Sequence, residues 1–190
     1  QLLAMLSYYD HQIGMVPRPV VVHAKPDVID PHDNPSLQID TEGYLWIFVS
    51  GRANIRPGYI YKSAKPYSID SLVQIRQAEF AYPQPTVHGE DGLLFLFTKY
   101  TDGLELYGAT SKDGISWSND QQLASGGHYQ MTNQHGGKVI TAFNAHPQGV
   151  DTRTNLYFLQ TTDMGKTWTT VDGRPVKTPV TGLQNPALIR

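Results

Sequence analysis

The sequence predicts an all-β protein, a β-propeller built from four-stranded antiparallel blades. Short apolar runs separated by Gly, Asp and Asn turns fill the chain of 190 residues, and no helical period interrupts them. A turn motif also returns after about fifty residues, and a period of that length is typical of a repeat array. The two observations together predict about three complete blades, with partial blades on either side.

The repeated motif is the turn called an Asp box. The stretch Thr161–Trp168 reads T-T-D-M-G-K-T-W, and a shorter copy, S-K-D-G-I-S-W, stands at Ser111–Trp117. A degenerate third copy lies at Ser63–Ile69. In such a turn the Asp accepts hydrogen bonds from its own backbone, the Gly takes a left-handed conformation and the Trp covers the turn. We therefore expect Trp117 and Trp168 to be largely buried, and we expect the motif to serve folding rather than chemistry.

The predicted strands form three sets of four. In chain order they are Ser36–Asp40, Tyr44–Gly51, Gly58–Ser63 and Leu72–Arg76, then Thr86–His88, Leu93–Tyr100, Leu104–Thr110 and Gln121–Ala124, then Met131–Asn133, Val139–Asn144, Asn155–Thr161 and Thr169–Val171. We expect the last strand to extend through Pro175–Val180 and a further strand to begin at Pro186.

These sets divide the chain into blades of one domain, 1–190, that is incomplete at both ends. Residues 1–30 are predicted to form a partial blade and residues 184–190 the start of another. The complete blades are predicted at 31–80, 81–127 and 128–183. Because a closed propeller needs several more blades, we expect the remaining blades to come from a longer chain or from a partner.

The composition argues against nucleic acid and membranes as partners. The formal net charge of -2 and the 17% of charged residues do not indicate a surface for nucleic acid. The sequence holds no apolar run near the roughly 20 residues of a membrane span, so we expect no membrane partner. The chain has no cysteine, which rules out a thiolate metal site and fits a secreted or periplasmic protein.

Blade topology predicts on which face a site would lie. In an antiparallel blade, the loops before the first strand and between the second and third strands share one face. The Asp boxes join third to fourth strands and mark the opposite face. Functional loops converge on the propeller axis, so we expect the site on the face without Asp boxes. We call this the site face, and we expect His88 and His135 on the opposite face, as structural or merely solvated residues.

The loops of the site face supply the candidate residues. The loops before first strands carry His32, Tyr82, His128 and Tyr129, and a corner of the backbone needs neither an imidazole nor a phenol. Amides stand beside them at Asn34, Gln84, Gln130, Gln184 and Asn185, where they either bind substrate or cap the backbone. The loops between second and third strands add Arg52, Arg56, His146 and Arg153. Arginines grip a carboxylate with two parallel hydrogen bonds, although a surface arginine also bridges loops. The histidines lack close metal-ligand spacing, so we expect no metal.

The chain also resembles a known family. The resemblance lies in H-D-N-P-S-L-Q-I-D-T-E-G-Y-L-W-I-F-V-S-G-R (His32–Arg52), Y-P-Q-P (Tyr82–Pro85), G-H-Y-Q (Gly127–Gln130) and the stretch Arg153–Trp168. These segments are similar to the sialidase-like BNR-repeat propellers, in particular the BNR-4 type. The resemblance implies relatives such as ulvan lyases and enzymes that remove rhamnose linked to glucuronic acid, with His, Tyr and Arg on the axial face. The Arg-Ile-Pro motif of true sialidases is absent from the nearest string, V-P-R-P at Val16–Pro19.

Three hypotheses follow. In the first, the protein cleaves a uronic-acid-containing polysaccharide as a lyase or glycosidase, without a cofactor. Its candidate catalytic residues are His32, Tyr82, His128, Tyr129 and His146, and its candidate substrate-binding residues are Arg52, Arg153, Asn34, Gln84, Gln130, Gln184 and Asn185. For elimination, Arg153 or Arg52 would neutralise the carboxylate together with Gln84 and Gln130, His128 or His32 would be the base, and Tyr129 or Tyr82 the acid. The alternatives are a sialidase-like exo-glycosidase and a non-catalytic propeller that binds glycans.

Overall fold

The structure is a computed structural model, and it describes residues 1–52, 54–149 and 151–189. Strands and one short 3-10 helix, Gly89–Asp91, make up its regular structure. The strands are β1 (Leu2–Leu6), β2 (Val20–Lys25), β3 (Pro35–Ile39), β4 (Leu45–Val49), β5 (Gly58–Ser63), β6 (Leu72–Ala78), β7 (Ala81–Val87), β8 (Leu93–Tyr100), β9 (Leu104–Ser111), β10 (Gln121–Ser125), β11 (Gly127–His135), β12 (Lys138–Ala145), β13 (Thr154–Thr161), β14 (Trp168–Thr169) and β15 (Pro175–Val176).

The strands form four separate sheets in which every pairing is antiparallel. Their orders are β1-β2, β3-β4-β5-β6, β7-β8-β9-β10 and β11-β12-β13-β14-β15. Consecutive strands are neighbours throughout, as in the blades of a propeller. The predicted fold class is therefore confirmed.

The first strands of the three larger sheets lie side by side, as they do around a propeller axis. The hydroxyl of Ser36 on β3 donates to the carbonyl oxygen of Pro83 on β7, over 2.6 Å. The backbone N–H of Thr132 on β11 donates to the amide oxygen of Gln84 on β7, over 3.0 Å. β7 thus lies between β3 and β11, and the starts of these strands are brought to one end of the molecule.

Three apolar cores lie between successive sheets, and β4 and β8, the second strands of the first two complete blades, are buried from both sides. On β4, Ile47 and Val49 pack toward β1 and β2, while Trp46 and Phe48 pack toward the next sheet. β8 follows the same rule, because Phe95 faces β4 and Leu96 faces β12 and β13. A strand that is apolar at every position is what burial on both faces requires. These cores fix the sheets relative to one another.

The turns at the Asp boxes close around their acidic residues. Asp163 accepts from the backbone N–H of Thr167 over 2.9 Å and from its hydroxyl over 2.6 Å. In the other copy, Asp113 accepts from the backbone N–H groups of Ile115 and Ser116 over 2.8 and 2.7 Å. Trp168 is buried as expected, at 2% exposure.

Two details of the prediction were wrong. Trp117 is only half-buried, because it lies at the rim between Phe95 and the guanidinium of Arg76. The fourth strand of the third blade does not run on through Pro175–Val180. The chain turns at residues 171–174, where Thr170 and Arg174 exchange hydrogen bonds, and β15 folds back on β14.

The C-terminal segments cover two sheet edges, the outer edge of β10 and the part of β13 that the short β14 does not reach. Val180 pairs with the outer strand of the preceding blade, where its N–H donates to Leu123 and its carbonyl accepts from Ser125. Farther on, the carbonyl of Ala187 accepts from Phe158 and the N–H of Ile189 donates to Leu156, so this segment lies along β13. Backbone groups on the edges of β10 and β13 thereby find partners.

Candidate functional site

Seven predicted residues meet at the site end of the first strands, and we call them the axial cluster. They are His32, Arg52, Tyr82, His128, Tyr129, His146 and Arg153. Tyr82 lies at the centre: its ring centroid is 6.4 Å from that of His32, 5.9 Å from that of His128 and 5.7 Å from that of Tyr129. The structure therefore brings together histidines from two different blades on one face.

The half of the cluster that belongs to the third blade is tightly stacked. The rings of His128 and Tyr129 are nearly parallel, with centroids 3.9 Å apart. His146 meets the His128 ring edge-on at 5.0 Å. The guanidinium of Arg153 lies 4.3 Å from the centroid of the Tyr129 ring, which is cation–π geometry.

Tyr82 and Tyr129 reach the cluster because each lies in a β-bulge at the start of a first strand. The register of β7 against β8 shifts between Ala81 and Gln84, and that of β11 against β12 shifts between His128 and Met131. Both tyrosines take left-handed backbone conformations, with φ of 50° and 49°. Such a conformation is uncommon for a bulky residue, and a bulge re-aims the side chain that it carries. The same device is therefore used in two successive blades.

Arg52 belongs to the loop between β4 and β5 and points at the centre of the cluster. Its Nη1 donates a hydrogen bond of 3.0 Å to the hydroxyl of Tyr82. Burial favours the neutral form of this guanidinium, but Tyr100, Tyr82 and Asp30 outweigh that effect and raise the pKa of Arg52. Arg52 is thus a fixed positive charge beside the phenol.

Asp30 is the carboxylate in contact with the cluster. Its Oδ1 accepts from the backbone N–H of His32 over 3.0 Å and lies 2.6 Å from Nδ1 of the same residue. Its Oδ2 lies 3.3 Å from Nε of Arg52 and 3.4 Å from Nη2 of Arg56. Burial opposes ionisation, but the hydrogen bonds from His32 and the charge of Arg52 lower the pKa of Asp30 to about 2. The group is therefore ionised at neutral pH.

A second carboxylate, that of Asp33, is fully buried and supports this arrangement. Asp33 receives two hydrogen bonds of 3.0 Å from Arg56, through Nε and Nη2. The ammonium of Lys25 on β2 lies 2.7 Å from Asp33 and also donates to the carbonyl oxygen of Ser50. Arg56 thereby joins the two carboxylates, and Lys25 ties β2 to the next sheet through Asp33 and Ser50.

Protonation states differ within the axial cluster. Burial lowers the pKa of His128 to about 4, and the charges of His146 and Arg153 act in the same direction. His128 is therefore neutral at neutral pH, and its Nδ1 is buried without a hydrogen-bond partner. Burial and the neighbouring hydroxyl of Tyr100 raise the pKa of Tyr82, so its phenol keeps its proton.

The predicted amides have varied positions. Gln84 links β7 to β11 through Thr132, as described above, and Asn34 is exposed beside it. Gln130 is 3% exposed, and both polar atoms of its amide are buried without a partner. Asn185 caps its own turn, since it donates to Gly182 and accepts from Ala187. The structure gives the side chain of Gln184, which is exposed, no hydrogen bond to the axial cluster.

A cavity of about 420 Å³ opens beside Tyr82. Its wall is mostly apolar and aromatic, and the members that matter for recognition are His32, Asn34, Tyr82, Tyr129, Gln130 and Met131. A concave, largely apolar surface with a few converging polar groups is the usual form of a small-ligand site. The cluster and this cavity together form the candidate functional site.

Sequence reasoning missed Asp30, Asp33 and Lys25. The signal was present in the string D-P-H-D at Asp30–Asp33, where two acids flank a candidate histidine directly before a first strand. Lys25 gave no such signal, because its partners come from a different sheet.

The opposite end of the first strands is built differently. His88 lies beyond the end of β7, where its ring nitrogens are 2.9 Å from the hydroxyl of Thr86 and 3.3 Å from the amide nitrogen of Gln134. These contacts link β7 to β11, which is a structural use of the histidine. Among the described residues, no set of three His, Cys, Asp or Glu is arranged to hold a metal ion. In the same described residues, no helix is long and apolar enough to cross a membrane.

Comparison with known proteins places the chain. A family model described as "BNR repeat-containing family member" matches residues 7–189. The chain belongs to this BNR repeat family. No curated protein matches it.

Three solved structures that resemble this BNR repeat chain are polysaccharide lyases. One is an ulvan lyase of polysaccharide lyase family PL25, bound to a saccharide of glucuronic acid linked 1-4 to 3-sulfated rhamnose. It has a TM-score of 0.77 and 18% identity, with 93% of this chain and 50% of that chain covered. A structure of PL25 ulvan lyase described without a saccharide gives a TM-score of 0.75 at the same 18% identity, with 93% of this chain and 50% of that chain covered. The polysaccharide lyase Uly1 gives a TM-score of 0.73 and 11% identity, with 98% of this chain and 53% of that chain covered. The chain thus spans about half the length of the lyases it resembles, and at these identities the likeness shows the fold.

Proposed function

We propose that the protein cleaves a uronic-acid-containing polysaccharide by β-elimination, with the axial cluster as its active site. The observation that carries this proposal is the junction of Arg52, Tyr82 and two histidines. A fixed cation, a protonated phenol and imidazoles from two blades lie within one group of contacts. The resemblance to lyases, one of them bound to a saccharide that contains glucuronic acid, supports the substrate class.

The reaction asks for three groups. A cation lowers the energy of the carboxylate as negative charge develops on it. A base removes the proton from C5 of the uronate, and an acid donates a proton to the glycosidic oxygen on C4. The C4–O bond breaks, a C4=C5 double bond forms, and no water or oxidant is consumed.

The cluster supplies each of these groups. Arg52 is the carboxylate clamp, because its guanidinium is anchored at Nε by Asp30 and reaches the cluster through Nη1. Tyr82 is the acid, because its pKa is raised and its hydroxyl already lies against Arg52. The base is one of the two histidines that flank Tyr82, His32 and His128. Arg153 and the cavity beside Tyr82 contact neighbouring sugar residues.

Elimination fits this chemistry better than hydrolysis does. Glycosidases of the usual kinds place two carboxyl groups across the scissile bond. In the described part of the chain, Asp30 is the carboxylate in contact with the axial cluster, and its oxygens are held by His32 and the two arginines. A polymeric substrate of this type also agrees with our expectation of a secreted or periplasmic protein.

The test is to incubate the complete protein with ulvan, with the same polymer after chemical reduction of its carboxyl groups, and with a sialoside. We expect ultraviolet absorbance from an unsaturated uronate with native ulvan and none with the other two substrates. Arg52→Gln should lower kcat/KM by roughly 100-fold, as loss of one group that stabilises developing charge does. Reducing sugar released without absorbance would identify a hydrolase. Saccharide binding without turnover would identify a glycan-binding propeller, and either outcome would overturn the proposal.

A further inference from the structure

Asp30 sits in the segment between β2 and β3 and contacts three groups at once. Its Oδ1 accepts a hydrogen bond from the backbone N–H of His32 over 3.0 Å and lies 2.6 Å from the ring Nδ1 of the same residue. The other oxygen forms an ion pair with Nε of Arg52 over 3.3 Å and accepts a hydrogen bond from Nη2 of Arg56 over 3.4 Å. A single carboxylate thereby connects a candidate base with the candidate clamp of the substrate carboxylate.

The contact with His32 decides which ring nitrogen carries the proton. An ionised carboxylate only accepts hydrogen bonds, so the short contact at Nδ1 requires a proton on Nδ1. In the neutral ring Nε2 is then bare and able to take a proton. The His32 side chain is 40% exposed, whereas His128 as a residue is 2% exposed, so the bare nitrogen of His32 is the one that a polymer reaches.

The contact with Arg52 sets the direction of its guanidinium. Because Nε is held by Asp30, the terminal nitrogens are turned toward Tyr82, whose hydroxyl accepts from Nη1 over 3.0 Å. The Arg52 side chain is 28% exposed and so is accessible to a substrate carboxylate, which the planar fork of an arginine binds with two hydrogen bonds.

Asp30 is itself supported by buried charged residues. Arg56 bonds to both carboxylates, and Asp33 is fixed by Lys25 at 2.7 Å in a site where neither charged side chain is more than 6% exposed. A buried pair of this kind does little for net stability but keeps charged groups in one geometry. The carboxylate of Asp30 therefore has a rigid support.

We propose that Asp30 is a positioning residue, which fixes the Nδ1–H tautomer of His32, so that Nε2 is the base, and which directs Arg52 toward the uronate. The proposal rests on the proposed elimination for its kinetic consequence, but its structural content concerns His32 and Arg52 alone.

The experiment combines nitrogen NMR of the His32 ring with kinetics on the complete protein, and His32→Gln identifies the signal. In the wild-type protein, at a pH where the His32 ring carries one proton, we expect that proton on Nδ1. Asp30→Asn presents an amide N–H that bonds to a bare Nδ1, so the proton should move to Nε2 in a large share of molecules. On ulvan we expect kcat to fall about 10- to 100-fold, as for other carboxylates that orient a histidine, while KM changes by less than about threefold.

Asp27→Asn is the matched control. Asp27 lies in the same loop, is exposed and carries the same charge, so its variant should keep the wild-type tautomer and kcat. A proton on Nε2 of His32 in the wild-type protein would overturn the proposal, and that measurement needs no variant to fold. Unchanged kcat and tautomer in Asp30→Asn would also overturn it. A wild-type protein inactive on all uronate polymers would refute the proposed function instead, and the tautomer would still decide the role of Asp30.

Discussion

Tyr82 and Tyr129 show most directly how a single residue prepares the site. Each sits in the left-handed region, where a bulky side chain costs of order 1–3 kcal/mol unless the surroundings hold it. Glycine or asparagine would fit those backbones more easily. Backbone strain of this kind is concentrated at functional sites, which agrees with the role proposed for the phenol of Tyr82.

Removal of the Tyr82 hydroxyl is the first prediction. In Tyr82→Phe the ring still packs against His128 and Tyr129, but Arg52 loses its hydrogen bond and the acid is gone. We expect turnover of ulvan to fall by about 100-fold or more, with the melting temperature almost unchanged. Tyr67→Phe is the control, because Tyr67 is also left-handed but lies against Gly43 far from the cluster, and it should keep full activity.

The pH dependence of stability gives the second prediction. The pKa of His128 is lowered from 6.5 to about 4, so the unfolded chain binds more protons than the folded one between these values. Stability contributed by neutral His128 should therefore be complete above pH 6.5 and be lost as the pH falls toward 4. We expect a loss of about 1–3 kcal/mol across this window.

Urea unfolding at several pH values checks this prediction with His128→Gln as the comparison. The variant should lose less stability than the wild type over the same range. His23 and His88 also have lowered pKa values, because burial disfavours their charged forms, but they are present in both proteins and cancel in the difference. Parallel curves for the two proteins would contradict the assignment to His128.

At the scale of elements, the packing of one Asp-box turn against the preceding sheet supplies the third prediction. Gly114 has φ of 72°, and a Cβ added there would lie 2.1 Å from the ring of Trp46 in the first blade. Gly114→Ala therefore costs both the left-handed conformation and a clash, together about 2–4 kcal/mol. Gly137→Ala has a similar φ of 78° and meets no atom within 4 Å, so it should cost only about 1–2 kcal/mol.

Denaturant unfolding of both glycine variants measures the difference between them. Activity per folded molecule should be kept in each, because both glycines lie away from the axial cluster. Equal destabilisation would show that the ring of Trp46 moves aside without cost.

Much of the fold could be predicted at this scale, because the local sequence largely determines where strands and turns form. The apolar runs gave the strands of the first two blades within a few residues at their ends, except for β7, which was predicted only from Thr86 and begins at Ala81. Blade topology gave the face on which His32 and His128 meet. The turn at residues 171–174 was missed, because a propensity for strand in Pro175–Val180 says nothing about where the backbone reverses. The pairing of Val180 with another blade depends on tertiary contacts, which the local sequence does not reveal.

The candidate site was less predictable than the fold, for a related reason. Residues whose position follows from topology, such as Tyr82 and His128, could be placed from the sequence. Lys25 acts through partners in another sheet, and no local pattern records such a pairing. Asp30 stands two residues before His32, which the sequence does show, but its contact with Arg52 joins separate segments of the chain. The side chain of Asn185, in contrast, caps its own turn, which was one of the two readings that the sequence allowed.

For the whole molecule, the exposed flanks give the fourth prediction. Leu3, Met5 and Val21 on the two-stranded sheet are 42%, 48% and 52% exposed, and on the other side Leu156 and Val171 are 49% and 64% exposed. Apolar surface of this kind beside open sheet edges promotes association. We expect the 190-residue chain, expressed alone, to self-associate in analytical ultracentrifugation.

A double variant, Met5→Lys with Val21→Lys, tests the cause. It places charge on the flank and should shift the distribution toward monomer, because charged edges resist pairing. The matched control is Lys65→Ala with Lys112→Ala, which changes exposed positions elsewhere and should leave association unchanged. A wild-type chain that stays monomeric and unfolds cooperatively would contradict the prediction.

The apolar cores between the sheets have a consequence for the interpretation of genetic screens. The axial cluster takes Asp30 and His32 from before one sheet, Tyr82 from the next and His128 from a third, so its distances are set by the angles between sheets. A displacement of one ångström is enough to cost a reaction about 100-fold. Loss-of-function alleles in this protein should therefore map to positions such as Phe48 and Leu96 as often as to the cluster, and a folded but inactive allele there marks misalignment of blades, not a missing chemical group.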